Sequence, residues 1–291
     1  MTTTVSIQPM DRPFGAVVTG VDINDLDDAS FAVINDVFET RGLLVFPAAH
    51  PTEAAQIAFG RRLGPIEVLA PGKRAITISN MRSDGTLIPP DSERATIMRA
   101  NEGWHTDSSY MALSAKASVL AAHVVPAEGG ETEFADMCDA YDALDPAMQQ
   151  RIARLKAYHS IVWSNAQIGY DARLGNGYGF HDRPPLRPLV KVHPVTGRKA
   201  LYIGRHAYGI PGLTEAESTA LLDELLAIAV RPERVYVHHW QEGDMVVWDN
   251  RRMLHRARPY PADMPRRMKH VRVSGDPKTE LCAETGVLQV A

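Results

Sequence analysis

The sequence contains very little cysteine. Only Cys138 and Cys282 occur among 291 residues, and they form no CxxC pattern. Such sparse, unpatterned cysteine disfavours an oxidising compartment and favours a reducing one. The first residues, MTTTVSIQPMDRPFG, also lack the basic patch and the apolar run of a signal peptide. We therefore expect a cytoplasmic protein.

Long apolar runs and a surplus of basic charge are also missing. No segment approaches the roughly 18 consecutive apolar residues that a membrane helix needs, which excludes a membrane-spanning protein. The formal net charge is -4, so no basic surplus indicates nucleic acid binding. Neither nucleic acid nor a membrane is therefore an expected partner.

The composition is otherwise that of a soluble globular protein. Hydrophobic residues make up 45% of the chain and charged residues 23%. A chain of 291 residues can bury a large core as one big domain or two small ones. Because no internal repeat or low-complexity linker interrupts it, we predict a single domain over residues 1–291.

The N-terminal part of the chain alternates between strand and helix patterns. AVVTGVDI predicts a strand, and the apolar LLVF predicts a short buried one. Between them, apolar residues at helical spacing predict a helix with Asp28 as N-cap and Gly42 as stop, and TEAAQIAFGRRLG predicts a second helix that ends at Gly64. Residues 65–100 are rich in Gly, Pro, Ser and Asp, so we predict a loop there that can act as a lid.

Short strands dominate after residue 115. They are predicted in ASVLAAHVV, TEFADM, LVKVH, ALYIG, VYVHHW, DMVVWD and MKHVRVSG. Two helices interrupt them: LDPAMQQRIARL, with Asp145 as N-cap, and LTEAESTALLDELLAIAV, in which Thr214 and Glu217 have the spacing of a capping box. This pattern predicts a mainly β fold with helical insertions, built as a jelly roll or barrel.

The stretch GWHTDSSYM places His105 and Asp107 on either side of one threonine. In an extended segment these two side chains point to the same side, so an imidazole and a carboxylate could share a metal ion there. Adding a second histidine would complete the set of two histidines and one carboxylate that suits non-haem Fe(II) oxygenases. A histidine and an aspartate also satisfy the polar groups of a turn, and on this pattern alone the turn is the favoured interpretation.

Two later stretches bear on this choice. His255 lies in DNRRMLHRA, among the later strands, and is the candidate third ligand. In PRRMKHVRVSG, strand periodicity puts one set of side chains on a common face: Arg266, Met268, His270 and Arg272. That face is either exposed to solvent, with the opposite valine face in the core, or it lines the mouth of a barrel and binds anions. Periodicity alone does not separate these two possibilities.

The order of these motifs resembles the taurine dioxygenase / chlorophenoxyacetate dioxygenase family. HTD is followed by GGETEFADM, then by WDNRRMLHRA, and then by an arginine eleven residues after the last histidine. The resemblance extends from GAVVTGVDI to VSGDP, which is nearly the whole chain. It implies an Fe(II)- and 2-oxoglutarate-dependent dioxygenase, with O2 as a further cosubstrate, on a double-stranded β-helix of the jelly-roll, cupin-like type.

The resemblance implies roles for the matching positions. His105, Asp107 and His255 match the iron ligands of the family. Thr132, in GGET, matches the residue that hydrogen-bonds the distal carboxylate of 2-oxoglutarate, and Arg266 matches its salt-bridge partner. A planar guanidinium suits that task because it holds a carboxylate through two parallel hydrogen bonds. Related halogenases replace the ligand carboxylate with a small residue, so its presence here implies hydroxylation.

The substrate implied by the resemblance is a small anion. His270 stands where taurine-type enzymes have a second arginine, so taurine is not the expected substrate. AYDALD, LRPLVKVHP, IGRHA and VVWDNR resemble the (S)-2-aryloxypropanoate branch of the family, in which Arg205, Arg272 and Lys73 match groups that hold the substrate carboxylate. Alternatively, Arg205 is a structural salt-bridge partner and Lys73 a solvated loop residue. Trp248 either lines the site or belongs to the ordinary core.

A reaction follows from this resemblance. Hydroxylation of the carbon beside the ether oxygen of an (S)-2-aryloxypropanoate or aryloxyacetate gives a product that collapses to a phenol and a keto acid, with succinate and CO2 as coproducts. The same mechanism on an alkyl sulfate, a sulfonate or a natural aryl or amino acid stays open. A non-catalytic metal-binding jelly roll, such as a ligand sensor, would not need Thr132 and Arg266 together. We also expect a homo-oligomer.

Overall fold

The computed structural model describes residues 5–70, 72–170 and 183–284. Its strands are β1 (Ser6–Pro9), β2 (Ala16–Thr19), β3 (Leu43–Phe46), β4 (Ile76–Ser79), β5 (Ala115–Val124), β6 (Thr132–Asp136), β7 (Lys156–His159), β8 (Leu186–Pro188), β9 (Val190–Val192), β10 (Lys199–Leu201), β11 (Ala207–Tyr208), β12 (Val235–His238), β13 (Met245–Asp249), β14 (Met253–Ala257) and β15 (Arg267–Ser274). Its helices are α1 (Asp28–Arg41), α2 (Glu53–Leu63), α3 (Glu93–Arg99), α4 (Met137–Asp142), α5 (Pro146–Ile152), α6 (Ile161–Ala166), α7 (Glu215–Ala229) and α8 (Pro277–Glu280).

A seven-stranded sheet forms the larger layer of the fold. Its strand order is β1-β2-β3-β13-β5-β15-β4, and only β2 and β3 pair in parallel. Strands from both ends of the chain meet in it, with Leu44 opposite Val247 and Ile76 opposite His270. This interleaving builds one sheet from the first and last parts of the sequence.

A three-stranded sheet, β12-β6-β14, packs against the larger one. Phe134 and Met253 of the smaller sheet belong to one buried cluster with Leu120, Val246 and Met268 of the larger sheet. Antiparallel sheets packed face to face around such a cluster are the arrangement of a jelly roll, as the strand pattern predicts.

Helices α1 and α2 cover the other face of the larger sheet. Ile34 and Phe38 of α1 and Phe59 of α2 pack in one cluster with Val247 and Val271 of the sheet. Both faces of β13 are therefore buried along its whole length, and β15 is buried over most of its length. No helix in the described ranges is long and apolar enough to cross a bilayer.

Most helix boundaries follow the local sequence signals, with one shifted by a residue. The side chain of Asp27, not the predicted Asp28, caps α1 by accepting the amide of Ser30 at 2.8 Å, and Gly42 ends the helix with φ 72°. The capping box at α7 forms as predicted between Thr214 and Glu217. The side-chain oxygen of a cap accepts from an amide only three residues away, so the contact is local and the sequence alone reveals it.

Several elements differ from the sequence expectation. The strand predicted over AVVTGVDI ends at Thr19. The segment 65–100 is not a loop throughout, because it contains β4 and α3. Strand β4 forms through pairing with β15, a partner far along the chain that a local pattern does not reveal. Helices α4, α6 and α8 add to the two that were predicted after residue 115. Closure of 65–100 as a lid stays a prediction.

Candidate active site

His105 and His255 face each other across an isolated backbone bridge. The amide of His105 donates to the carbonyl of His255 at 3.0 Å, and the reverse hydrogen bond measures 2.8 Å. The two imidazole rings lie 4.2 Å apart, centre to centre. Strand β14 supplies His255, and the segment before β5 supplies His105. The bridge therefore brings two of the three predicted ligands together through the backbone itself.

Asp107 lies buried beside the two histidines, in a dense network of hydrogen bonds. Ser118 donates to its Oδ2 at 2.5 Å, and Nη2 of Arg272 donates to its Oδ1 at 2.8 Å. The amide of Asp107 donates to Oδ1 of Asn250, which also accepts from Trp248 Nε1 at 3.0 Å. Because the amide nitrogen of Asn250 donates to Ser118 as well, this one side chain ties the HTD segment to β5 and β13.

The three side chains form a donor set that fits a divalent metal. One donor atom from each of His105, Asp107 and His255 lies within 4.8 Å of the others. Nδ1 of His105 lies 2.8 Å from the carbonyl of Gly103, to which it donates, so Nε2 keeps its lone pair for a metal. Two imidazole nitrogens and a carboxylate oxygen are the donors that non-haem Fe(II) takes. The residues present therefore fit the implied iron.

The environment holds this set in the protonation state that binds metal. Burial lowers the pKa of His105 and of His255, which favours neutral imidazole. Burial by itself would raise the pKa of Asp107, but the neighbouring Arg272 guanidinium opposes this effect, and that pKa lies below its ordinary value. Neutral imidazoles and an ionised carboxylate need to lose no proton when a metal binds.

Arg266 and Thr132 lie on the same cavity as the donor set. Arg266 is buried, and its Nη2 donates to the carbonyl of Gly130 at 3.3 Å. Its guanidinium lies 5.6 Å from the ring of Tyr260 and pairs with no carboxylate among the described residues. The Thr132 hydroxyl accepts from Trp240 Nε1 at 2.9 Å, so its own proton is free to be donated. A buried, uncompensated guanidinium is costly unless an anion joins it.

The cavity that these residues share has a volume of about 300 Å³. Apolar side chains form much of the remaining wall: Ile76, Ile78, Ile97, Met98, Leu120 and Trp248. Trp248 both lines the cavity and packs in the core, with its ring 5.4 Å from that of Phe134. The two alternative interpretations of Trp248 are therefore compatible.

Arg272 and His270 also line the cavity, on the face of β15 that the periodicity singles out. Arg272 is bonded to Asp107, and its Nη1 donates to Ser108 Oγ at 3.0 Å. Glu67 lies 3.8 Å from the same guanidinium. The ring of His270 stacks on Trp248 at 5.9 Å. The arginine face of this strand thus lines the barrel mouth, and it is not exposed to solvent.

The structure places Arg205 and Lys73 differently. Nη2 of Arg205 donates to the carbonyl of Ser164 and to Asn165 Oδ1, at 2.9 and 3.0 Å. Its backbone amide donates to the carbonyl of Trp104, next to the first ligand. Lys73 is exposed and lines a neighbouring cavity. Their predicted contacts with a substrate carboxylate stay predictions.

Sequence reasoning missed Asn250, Ser118 and Arg94. Asn250 follows a buried strand directly within WDNRR, which is the one local signal that could have drawn attention to it. Ser118 lies in an apolar strand, and Arg94 lies in the stretch that was predicted to be a loop. Arg94 lines the cavity from helix α3.

A second buried group of potential ligands comprises Glu39, His193 and Asp249. Its charges are already compensated: Arg251 pairs with Glu39 at 2.5 Å and with Asp249 at 2.6 Å. Lys116 pairs with Glu39 as well, at 3.0 Å. Two cations within the cluster disfavour a metal ion there, so we interpret it as a structural network.

The fold is a jelly roll with a buried His-Asp-His donor set. On the same cavity lies an arginine that pairs with no carboxylate among the described residues. This arrangement is typical of non-haem metal-dependent oxygenases. The family model of the "Taurine catabolism dioxygenase TauD, TfdA family" matches residues 6–273. The chain belongs to this family. The resemblance drawn from the motifs is therefore confirmed, as is the predicted jelly-roll fold class.

Characterised relatives match almost the full chain. The chain is 48% identical to the (S)-phenoxypropionate/alpha-ketoglutarate-dioxygenase of Sphingobium herbicidovorans, with 96% of this chain and 98% of that one covered. It is 45% identical to the enzyme of the same name from Delftia acidovorans, again with 96% and 98% covered. The alpha-ketoglutarate-dependent 2,4-dichlorophenoxyacetate dioxygenase of Cupriavidus pinatubonensis is 36% identical, with 94% and 98% covered. The predicted enzyme class, a 2-oxoglutarate-dependent dioxygenase, is confirmed.

Solved structures agree with this assignment. The crystal structure of AAD-2 in complex with Mn(II) and N-oxalylglycine superposes with a TM-score of 0.85 and 34% identity, covering 98% of this chain and all of that one. A putative alpha-ketoglutarate-dependent 2,4-D dioxygenase from Burkholderia xenovorans superposes with a TM-score of 0.79 and 30% identity, with 94% and 99% covered.

Proposed function

We propose that this protein is an Fe(II)- and 2-oxoglutarate-dependent dioxygenase that cleaves (S)-2-aryloxypropanoates, or the related aryloxyacetates, to a phenol and a keto acid. One observation carries the proposal: the donor set of His105, Asp107 and His255 lines the same cavity as Arg266, whose guanidinium pairs with no described carboxylate. A metal site alone would suit many functions. A metal site with a buried cation opposite it suits a cosubstrate that has both a chelating keto acid and a distal carboxylate.

His105, Asp107 and His255 would hold the iron through two imidazole nitrogens and one carboxylate oxygen. The bound iron supplies the activation of O2 for hydroxylation of a C–H bond. Arg266 would bind the distal carboxylate of 2-oxoglutarate through two parallel hydrogen bonds, and the Thr132 hydroxyl would donate a further one. Since Trp240 donates to Thr132, the hydroxyl proton already points elsewhere, which prepares it for that contact.

The substrate would lie against the apolar part of the cavity wall. Ile78, Leu120 and Met98 offer an aromatic ring a surface without polar groups. One oxygen atom of O2 enters succinate, and the other enters the substrate at the carbon that bears the ether oxygen. That carbon then carries a hydroxyl group and the ether oxygen. Its bond to the ether oxygen breaks, the hydroxyl proton passes to the departing aryloxide, and a phenol and pyruvate are released. The positioning of this carbon is the protein's contribution to selectivity.

The relatives support this substrate class, since the names of those at 48% and 45% identity specify (S)-phenoxypropionate. A sulfate ester is the alternative substrate. It is supported by the alpha-ketoglutarate-dependent sulfate ester dioxygenase of Pseudomonas putida, which is 29% identical.

We further propose a single domain over residues 1–291, because strands from both ends share one sheet. Cytoplasmic location and homo-oligomerisation stay predictions.

The test is a measurement of succinate release by the purified protein with Fe(II), ascorbate and 2-oxoglutarate. We expect fast release with an (S)-2-aryloxypropanoate, one phenol per succinate, and slow release with the (R) form, taurine or an alkyl sulfate. His255→Ala should abolish release while keeping the circular dichroism spectrum of the wild type. Slow release that no added compound accelerates would reject the substrate class, and activity of His255→Ala would reject the metal site.

A further inference from the structure

A second cavity, larger than the catalytic one, adjoins it. Its volume is about 720 Å³, and the two cavities share Ile76, Thr77 and Arg94 as wall residues. It lies between α2, the segment that follows it, and strand β4. We call it the basic vestibule, after the five cationic side chains that line it: Arg61, Lys73, Arg74, Arg94 and Lys269.

The positive charge of the basic vestibule is largely uncompensated. Glu53 is the one acidic residue of its described lining, and it pairs with Lys269 at 2.6 Å. The other four cations are exposed and form no ion pair with any described residue. The chain as a whole carries a formal net charge of -4. Four free cations at one opening therefore create a local field opposite in sign to the overall charge.

Arg94 connects this field with the catalytic cavity. It stands on α3, in the wall between the two spaces. Inside the catalytic cavity, Arg272 is bonded to Asp107, whereas Arg266 has no carboxylate partner in the described ranges. An anion that passes Arg94 thus moves from the cations of the basic vestibule towards Arg266 in the catalytic cavity.

We propose that the basic vestibule captures small organic carboxylates from solution and guides them past Arg94 into the catalytic cavity. This inference rests on the proposed function, in which the substrate and 2-oxoglutarate are both carboxylates. A cleft lined by charge of one sign focuses the field and raises the association rate of an oppositely charged ligand by about 10- to 1000-fold. Exposed charges act through the association rate and its salt dependence more than through dissociation.

The test measures association rates in the absence of O2, so that no turnover occurs. Stopped-flow tryptophan fluorescence would follow binding of (S)-2-phenoxypropanoate to the Mn(II)-loaded protein, since Trp248 lines the catalytic cavity. The variants are Arg94→Gln and the double variant Arg61→Gln/Arg74→Gln. At about 10 mM salt we expect the association rate of each variant to be roughly 3- to 10-fold lower than that of the wild type. At about 1 M salt the rates of the variants and the wild type should be equal, because the screening length is then about 3 Å.

Three controls separate steering from structural damage. Arg94→Lys keeps the charge and should keep the wild-type rate. Arg154→Gln removes an exposed charge outside the vestibule lining and should change nothing. The neutral amide of the same ligand should bind at one rate in all variants.

Two results would overturn the inference. One is an equal association rate at low salt in the wild type and both vestibule variants. The other is a decrease in the association rate of the neutral amide as large as that of the carboxylate. The proposed function fails separately, if carboxylates bind with the expected salt dependence and no succinate forms.

Discussion

At the residue scale, Asp107 is the predicted metal ligand whose negative charge an arginine of the protein compensates. Its carboxylate is buried and receives hydrogen bonds from Ser118 and Arg272. The Arg272 guanidinium supplies the neutralising charge when no metal is bound, because the two histidines are neutral. A metal ion would supply a competing positive charge to the same carboxylate. Arg272 and the metal are therefore alternative ways of compensating one buried anion.

We expect Arg272→Ala to destabilise the metal-free protein by about 3–5 kcal/mol, since it leaves a buried carboxylate unpaired. In the Mn(II)-loaded protein the loss should be clearly smaller, because the metal compensates Asp107. Urea unfolding with and without Mn(II) measures both values.

Arg251→Ala is the matched control for this experiment. Arg251 is equally buried and pairs with Asp249 and Glu39, away from the predicted ligands. The decrease in the free energy of unfolding of this variant should be the same with and without metal. A metal-independent loss in Arg272→Ala would show that Arg272 does not compensate the metal-binding carboxylate.

At the element scale, the turn before β6 positions Arg266. Gly129 and Gly130 both have φ of 72°, a conformation that favours glycine. A Cβ built on Gly130 would lie 3.2 Å from Nε of Arg266, and the carbonyl of Gly130 accepts from that guanidinium. The GGET turn thus contacts the guanidinium of Arg266 and also leads directly into Thr132, the first residue of β6.

We expect Gly130→Ala to raise the KM for 2-oxoglutarate about 10-fold, because the added methyl group displaces the guanidinium by a few tenths of an ångström. The KM for the aryloxypropanoate should change little. Steady-state kinetics with each compound varied in turn measures both.

Gly212→Ala provides the control for backbone strain. Gly212 also has a positive φ, of 90°, but a Cβ there would meet no atom within 4 Å. It should cost stability by about 1 kcal/mol and leave both KM values unchanged. Equal changes of the KM for 2-oxoglutarate in the two glycine variants would show that the GGET turn does not position Arg266.

At the scale of the whole molecule, buried neutral histidines link stability to pH. Burial lowers the pKa of His159 and of His206 well below the ordinary value. Neither ring nitrogen of His159 contacts a hydrogen-bond partner among the described residues, and its ring packs 5.4 Å from that of Tyr202. In the unfolded chain these rings bind a proton below about pH 6.5. The folded state does not, so its stability is complete above that pH and falls as the pH decreases.

We expect His159→Phe to weaken this pH dependence. A phenylalanine keeps the ring but cannot titrate, so one fewer proton is taken up on unfolding. Below about pH 6.5, the decline in the free energy of unfolding should become shallower by up to about 1.4 kcal/mol per pH unit. Urea unfolding at several pH values between 5 and 8 measures the slope.

His239→Phe is the control, because the side chain of His239 is 73% exposed. It separates the loss of a buried imidazole from the loss of an exposed one. An unchanged slope in His159→Phe would mean that the ring already takes up a proton in the folded state.

The sequence alone determined the features that depend on contacts between residues close in the chain or on the order and spacing of motifs. Asp145 and Thr214 cap their helices because a side-chain oxygen reaches an amide three residues away. His105 and Asp107 share a side because they lie two apart in an extended segment. The motif order then indicated the family, the fold and the third ligand, His255, which the comparisons confirmed at the level of family and fold.

Only the tertiary structure decided which charges are free. The pairing of Arg272 with Asp107 and the connection of Asn250 to both Ser118 and Asp107 join strands that are distant in sequence. Arg94 is exposed and has no ion-pair partner in the part of the chain that the structure describes, and this likewise depends on where α3 lies relative to β4. Coulomb and hydrogen-bond energies depend on distances of a few ångströms, and residue order specifies such distances only within a turn or along one strand.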